Sequence, residues 1–233
     1  MQLKNAVVLI TGANRGIGLA FAREALARGA RKVYAAARDP ATVRLEGVEA
    51  IRLDVTDADQ VARAAAHCGD VTLLINNAGI AAPGGFLADP TLESARRQFE
   101  TNFFGPLRMA QAFAPVLARN GGGAILNVLS IASWLNRPLL GVYGSTKSAA
   151  WALTNGLRHE LRAQGTLVTG LHMGFVDTDL TRGIDMPKST PESVVRQALD
   201  AVEAGQEEVL ADDVTRQVKA SLASAQSAYL AAA

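Results

Sequence analysis

The sequence predicts an α/β fold, with a doubly wound, mostly parallel seven-stranded sheet flanked by helices. Three observations carry this. Short continuous apolar runs, the first being AVVLI at Ala6–Ile10, alternate with segments whose apolar residues recur at helical spacing. A glycine turn, TGANRGIG at Thr11–Gly18, follows the first run directly. Of 233 residues, 49% are hydrophobic, 19% charged and 21 are glycine, which suits a sheet buried on both faces and argues against disorder. The length fits one α/β domain, read as residues 1–233.

Composition also narrows the function. A formal net charge of +1, with no dense Lys/Arg run, leaves no electrostatic footprint for nucleic acid or an anionic membrane. Cys68 is the one cysteine, so no intramolecular disulfide or cysteine metal cluster forms, and it reads as a small buried hydrophobe. His67, His159 and His172 lack metal-ligand spacing and read as structural or exposed, so no metal is expected. The apolar run near the N-terminus is too short for a signal peptide, and no uninterrupted apolar stretch approaches membrane length. The expectation is a soluble cytoplasmic protein whose partners are small molecules or copies of itself.

In chain order, Ala6–Ile10 is the first strand and LAFAREALARG a helix with Gly29 as its C-cap. The intervening turn lets backbone approach a phosphate, and the helix N-terminus offers free N–H groups at a positive dipole end. Its glycines, Gly12, Gly16 and Gly18, are spaced G-x-x-x-G-x-G, unlike the G-x-G-x-x-G fingerprint. Lys32–Ala37 is the second strand. In a doubly wound sheet its end meets a ribose, where an acid favours NAD and a base accepts a 2′-phosphate. Arg38 stands there and Arg15 reaches the same region from the turn, which favours NADP. Asp39, nearby, can serve a hydroxyl instead.

Ala50–Leu53 is a short third strand ending at Asp54, and the helix after it is capped by Thr56 or Asp57. Val71–Ile75 is the fourth strand and runs into Asn76-Asn77-Ala78-Gly79, small and amide residues suited to packing a flat ligand. The loop from Ile80 to Pro90 leads to a helical pattern over Leu92–Arg119, interrupted at Pro106. Proline cannot bond the carbonyl four residues earlier, so the Asn102 C=O is expected to be free at a kink. AILNVLS is the fifth strand and delivers Ser130 at its C-terminal end, outside which ligands of such sheets bind. Leu167–His172 is the sixth strand. Pro191 opens a helix with Thr190 as N-cap, EEVLAD is the seventh strand, and Asp213–Leu230 a tail helix.

The stretch SIASWLNRPLLGVYGSTK, from Ser130 to Lys147, places a hydroxyl, the Tyr143 phenol and an ammonium in one segment. Tyr143 and Lys147 are an i, i+4 pair on a helix running to about Ala163, so they share a face. A positive neighbour is expected to lower the Tyr143 pKa and make it a proton donor or acceptor near neutral pH. The helix is nearly all apolar up to Leu157 apart from Lys147, which points to burial on more than one side and to a homo-oligomer.

Taken together, these residues resemble a short-chain dehydrogenase/reductase of NADP-preferring type over nearly the whole chain. TGANRGIG resembles that family's cofactor turn, Asp54 its adenine-contacting acid, NNAG at 76–79 its structural motif, and Asn102, Ser130, Tyr143 and Lys147 its catalytic tetrad. The resemblance implies a single-domain Rossmann fold and NADP(H) held by Gly12, Asn14, Arg15, Gly16, Ile17, Gly18, Arg38, Asp54, Val55, Asn77, Ala78, Gly79, Tyr143, Lys147, Gly174, Val176 and Thr178. It implies carbonyl reduction, with Tyr143 giving a proton to the oxygen and Ser130 hydrogen-bonding it. Lys147 holds the ribose hydroxyls, and a water on the Asn102 carbonyl links it to solvent. Met173 departs from the family's usual proline before Gly174. The C-terminus departs too, which leaves a dimer as plausible as a tetramer. Ile131, Trp134, Leu135, Phe86 and Phe175 are expected to line an apolar, shallow, open substrate pocket, with Trp134 serving packing rather than specific recognition. The alternatives are an alcohol or hydroxysteroid dehydrogenase working oxidatively, and a nucleotide-binding sensor without turnover, which has no need of Ser130, Tyr143 and Lys147 together.

Overall fold

In the computed structural model, which describes residues 1–87, 91–138 and 140–230, seven strands form one sheet. They are β1 Val7–Thr11, β2 Lys32–Ala37, β3 Glu49–Arg52, β4 Leu73–Asn76, β5 Ala124–Val128, β6 Leu167–His172 and β7 Glu208–Leu210. The order is β3-β2-β1-β4-β5-β6-β7, and each neighbouring pair is parallel, so the sheet is wholly rather than mostly parallel. Strand order reverses at β1, between β2 and β4, which opens a crevice at the strands' C-terminal ends.

The helices are α1 Gly16–Ala27, α2 Ala58–His67, α3 Thr91–Phe99, α4 Gly105–Arg119, α5 Gly141–Leu161, α6 Pro191–Glu203 and α7 Asp213–Ser221. Alternation along each strand divides the core in two. Val8, Ile10, Val33 and Ala35 pack on Phe21 and Ala25 of α1 and on Val194, Ala198 and Val202 of α6. Val7, Leu9, Tyr34 and Ala36 pack on Val61 of α2, Met109, Phe113 and Leu117 of α4, and Leu157 and Leu161 of α5. Among the described residues, no helix is long and apolar enough to cross a membrane.

Local signals placed most boundaries. Asp57 accepts the Gln60 N–H at 3.0 Å and caps α2. Thr190 accepts the Ser193 N–H at 3.2 Å and caps α6, with Pro191 in its first turn. Gly29, at φ 79°, lets the Ala30 N–H reach back to the Ala25 carbonyl at 3.0 Å and so ends α1. Two features differ from expectation. The tail helix stops at Ser221, where the Ser227 hydroxyl turns back onto the Ser221 and Leu222 carbonyls; serine competes with helical bonding in this way. Helix α4 also accommodates Pro115, which the sequence reading did not single out.

Phe113, with 0% exposure, fills the space between α4 and the sheet. Phe113→Ala is expected to lower the unfolding free energy by about 3–5 kcal/mol. Urea unfolding followed by circular dichroism checks this, with Phe104→Ala, at a side chain 41% exposed, as the milder control.

Candidate active site

The glycine turn is shaped by close approach. Gly12 (φ 65°) and Gly16 (φ 53°) adopt left-handed backbone, and a Cβ on Gly18 would lie 2.1 Å from the Gly12 carbonyl oxygen. The turn is clamped to the end of β4. The Asn77 side-chain amide donates to the carbonyls of Thr11 and Gly12 at 2.9 and 3.1 Å, while the Thr11 hydroxyl accepts the N–H groups of Asn77 and Ala78 at 2.9 and 3.0 Å. Asn77 therefore shapes the turn with its side chain, a role distinct from the cofactor contact expected of it. No side chain caps the N-terminus of α1 and no acid sits in its first turn. Its free N–H groups and positive dipole end suit a phosphate, so these residues fit a dinucleotide.

Around the turn, Asn14 donates to the Thr42 hydroxyl at 3.1 Å, and Ile17 packs on the α1 side of the core. Arg38 is exposed. Arg15 is 69% exposed and pairs with Asp179 at 3.2 Å, so it is partly committed to the loop after β6. Such an exposed pair holds weakly. The Asp39 carboxylate accepts the Ala41 N–H at 3.1 Å. Asp54 accepts both the N–H and the hydroxyl of Thr56, at 2.9 and 2.8 Å. Val55 is buried against Gly105, where an added Cβ would meet its side chain at 2.7 Å.

The helix interruption at Pro106 takes the form of a π-helical turn over Glu100–Phe104, which the Gly105 N–H closes on the Glu100 carbonyl. Pro106 supplies no N–H to the Asn102 carbonyl. The buried Asn102 side chain accepts the Ile80 N–H at 2.9 Å and donates to the Ile80 carbonyl at 2.8 Å and the Thr146 hydroxyl at 3.0 Å. It thereby joins the π turn to the NNAG segment and to α5. A Cβ on Gly79 would stand 3.3 Å from Asn102 Oδ1 and 3.8 Å from Lys147 Nζ, so NNAG, Asn102 and Lys147 converge.

Ser130 lies beyond β5, buried, and its Oγ accepts the Ala132 N–H at 3.1 Å. The Ser130 hydroxyl lies beside the phenol of Tyr143. Lys147 is buried on α5, with its Nζ donating to the Val128 carbonyl at 2.8 Å and 5.7 Å from the Tyr143 ring centroid. The expected lowering of the Tyr143 pKa is corrected by this geometry. Burial pushes the phenol up to about 12, opposed by the neighbouring Ser130 hydroxyl, and burial lowers the Lys147 ammonium to about 8. The ammonium is spent on a strand carbonyl, and desolvation outweighs the attraction expected between the pair.

The pocket expectations divide. Phe86 is exposed and lies on Gly141, where an added Cβ would meet its ring at 3.1 Å. Ile131 and Leu135 are half-buried in the turn after Ser130, the Leu135 N–H bonding the Ile131 carbonyl at 3.0 Å. Phe175 is half-buried in the loop after β6, its carbonyl accepting the Ser189 N–H at 2.9 Å. Trp134 serves packing, as expected, rather than lining the pocket: its ring stacks on His172 with centroids 3.9 Å apart and meets Trp151 edge-on. The loop after β6 folds back on itself through a Val176–Ser189 bridge, leaving Leu180 and Met186 exposed. The last residues of the Ile80–Pro90 loop, 88–90, lie outside the described residues.

Three contributors were not singled out from the sequence. Thr11 is the hub of the clamp, and Thr146 receives Asn102. Fully buried His172, read as structural or exposed, donates through Nδ1 to the Ser130 carbonyl at 3.1 Å and is held neutral, its pKa lowered to about 4 mainly by burial. Only Thr146, one turn along from Tyr143, had a local signal in its spacing.

Residues 6–188 match a family model described as short chain dehydrogenase. The chain is 36% identical over 208 residues to a sorbitol dehydrogenase of Cereibacter sphaeroides, covering 84% of this chain and 80% of that protein. A crystal structure of a short chain dehydrogenase from Burkholderia cenocepacia J2315 in complex with NADP superposes with TM-score 0.93 at 38% identity, covering 97% of this chain and 95% of that one. A short chain dehydrogenase/reductase from Burkholderia phymatum in complex with NAD gives TM-score 0.84 at 26% identity, covering 94% and 95%. The curated relatives compared are matched over 60% to 84% of their own lengths.

The buried ammonium yields a test. Between about pH 8 and pH 10.5 the unfolded chain binds the Lys147 proton that the folded chain has released, so this group makes stability rise with pH across that window. Lys147→Met is therefore expected to melt above wild type near pH 7 and to lose that advantage by about pH 10; thermal melts across the range read it.

Proposed function

The chain belongs to the short-chain dehydrogenase family, whose members are nicotinamide-dependent oxidoreductases, and from that premise we propose that it reduces a ketone or aldehyde of an apolar small molecule with NADPH. The observation that carries this is the placing of the Ser130 hydroxyl beside the Tyr143 phenol at the crevice, with the buried Lys147 Nζ 5.7 Å from the phenol ring centroid. A bound nicotinamide dinucleotide supplies the hydride. Tyr143, kept protonated by burial, gives its proton to the carbonyl oxygen as charge develops there. Ser130 donates a hydrogen bond to the same oxygen and holds the carbonyl against the phenol. Lys147 holds the ribose, and a water at the Asn102 carbonyl links it to solvent. Arg15 and Arg38 receive the 2′-phosphate, so NADP rather than NAD is the cofactor. The relative solved with NADP supports that choice and the one solved with NAD opposes it.

The exposed Phe86, Leu180 and Met186 favour an apolar substrate. Oxidation of an alcohol is the rival, favoured by the likeness to a sorbitol dehydrogenase. One domain, a cytoplasmic location and a homodimer or homotetramer complete the proposal.

A screen of NADPH consumption over ketones, aldehydes, quinones and imines tests the reading; turnover only with alcohols and oxidised cofactor would select the rival. Tyr143→Phe is expected to lower kcat by about a hundredfold or more while NADPH still binds, and retained turnover would reject the mechanism. Arg38→Asp is expected to move preference from NADPH towards NADH, read as the ratio of kcat/KM for the two; an unchanged ratio removes Arg38 from the site.

A further inference from the structure

We propose that Asp212, at the start of the C-terminal helix, is a positioning residue that fixes the backbone segment 174–178 along the cofactor crevice. The proposal rests on the reading of this chain as a nicotinamide-dependent enzyme.

Both carboxylate oxygens of Asp212 are in use. Oδ1 accepts the Thr215 N–H at 2.8 Å and caps α7. Oδ2 accepts the Gly174 N–H at 2.7 Å. Pairing of the Ala211 N–H with the His172 carbonyl at 2.9 Å sets Asp212 beside the end of β6. Gly174 is thereby held from the α7 side. On the other side the Met173 carbonyl accepts the Ile131 N–H at 2.8 Å, next to Ser130.

The segment beyond is pinned further along. The Phe175 carbonyl accepts the Ser189 N–H and the Asp177 N–H bonds the Ser189 carbonyl, each at 2.9 Å. At its far end Thr178 lies over the glycine turn, where a Cβ on Gly16 would be 3.3 Å from its methyl group. Residues 174–178 thus run from the neighbourhood of Ser130 to the phosphate-facing turn, and Asp212 holds their first peptide by a charge-assisted hydrogen bond. Only a carboxylate can do both jobs at once. An asparagine has one acceptor oxygen, so if it caps α7 it turns an N–H group towards the N–H of Gly174.

The test uses the full chain and two ligands, NADPH and adenosine 2′,5′-bisphosphate, which lacks the nicotinamide half. Asp212→Asn and Asp212→Ser each keep a capping oxygen for Thr215 and give up the bond to Gly174. Both variants are expected to bind NADPH about tenfold more weakly by calorimetry, to bind the bisphosphate as wild type does, and to turn over more slowly. Unchanged NADPH affinity in both variants, or equal weakening for both ligands, would overturn the proposal, since a purely structural role would not separate them. If wild type binds NADPH but consumes it with no carbonyl, the proposed reduction fails while the binding comparison still decides Asp212. A wild type that binds neither ligand overturns both.

Discussion

Two hydrogen bonds from one side-chain amide, Asn77 to the Thr11 and Gly12 carbonyls, hold the crevice in shape. They tie the turn after β1 to the end of β4 at the point where the sheet parts. With them, the turn lies so tightly that Gly18 has no space for a Cβ and α1 begins with bare N–H groups facing outward. The same turn sets the far end of the crevice, because Gly16 meets Thr178 and Arg15 meets Asp179. An asparagine in a polar tetrapeptide thus fixes where a phosphate can sit and where the loop after β6 comes to rest.

The opposite wall depends on a buried cation. Lys147 has the Val128 carbonyl and no carboxylate among the described residues. Desolvation of an ammonium costs more than one neutral hydrogen bond returns, so the site holds Lys147 at the expense of stability. The converging groups, Gly79, Asn102 and Tyr143, are neutral. An arrangement of this kind is kept for a negative or hydroxyl-rich ligand, and the ribose of the proposed cofactor is one.

Most of the sheet and the positions of the candidate residues were legible because they rest on local rules. Buried strands read as apolar runs, Gly29 and Thr190 announced helix ends, and Pro106 announced a break in the helix before the structure gave it as a π turn. What escaped was contact between residues far apart in sequence. The Tyr143–Lys147 spacing was right, but its electrostatic consequence had the wrong sign, because spacing reports which face a side chain shares and says nothing of how deeply that face is buried. The packing partners of Trp134 were out of reach for a related reason. It lies four residues beyond Ser130, yet its direction is set by His172, Trp151 and Lys219 from three other elements.

The two ends of the sheet show what separates a structural network from a site. At the β2–β3 edge, Lys32 pairs with Glu49 at 2.8 Å, Glu49 also meets His67, and Tyr34 accepts from Lys32 and donates to Asp70 at 2.7 and 2.8 Å. Each charge there has its opposite, and the groups clamp α2 to the sheet edge. Burial raises Cys68 beside them to about 12 and leaves its thiol inert at neutral pH. At the crevice the balance differs: the buried Lys147 ammonium has no carboxylate partner among the described residues, and the N-terminus of α1 has no side-chain cap and no acid in its first turn. Both ends are rich in polar side chains, so composition would not tell them apart. The difference is the ammonium without a carboxylate and the uncapped helix N–H groups at the strands' C-terminal ends, which an anionic, hydroxyl-bearing cofactor would satisfy from outside the chain.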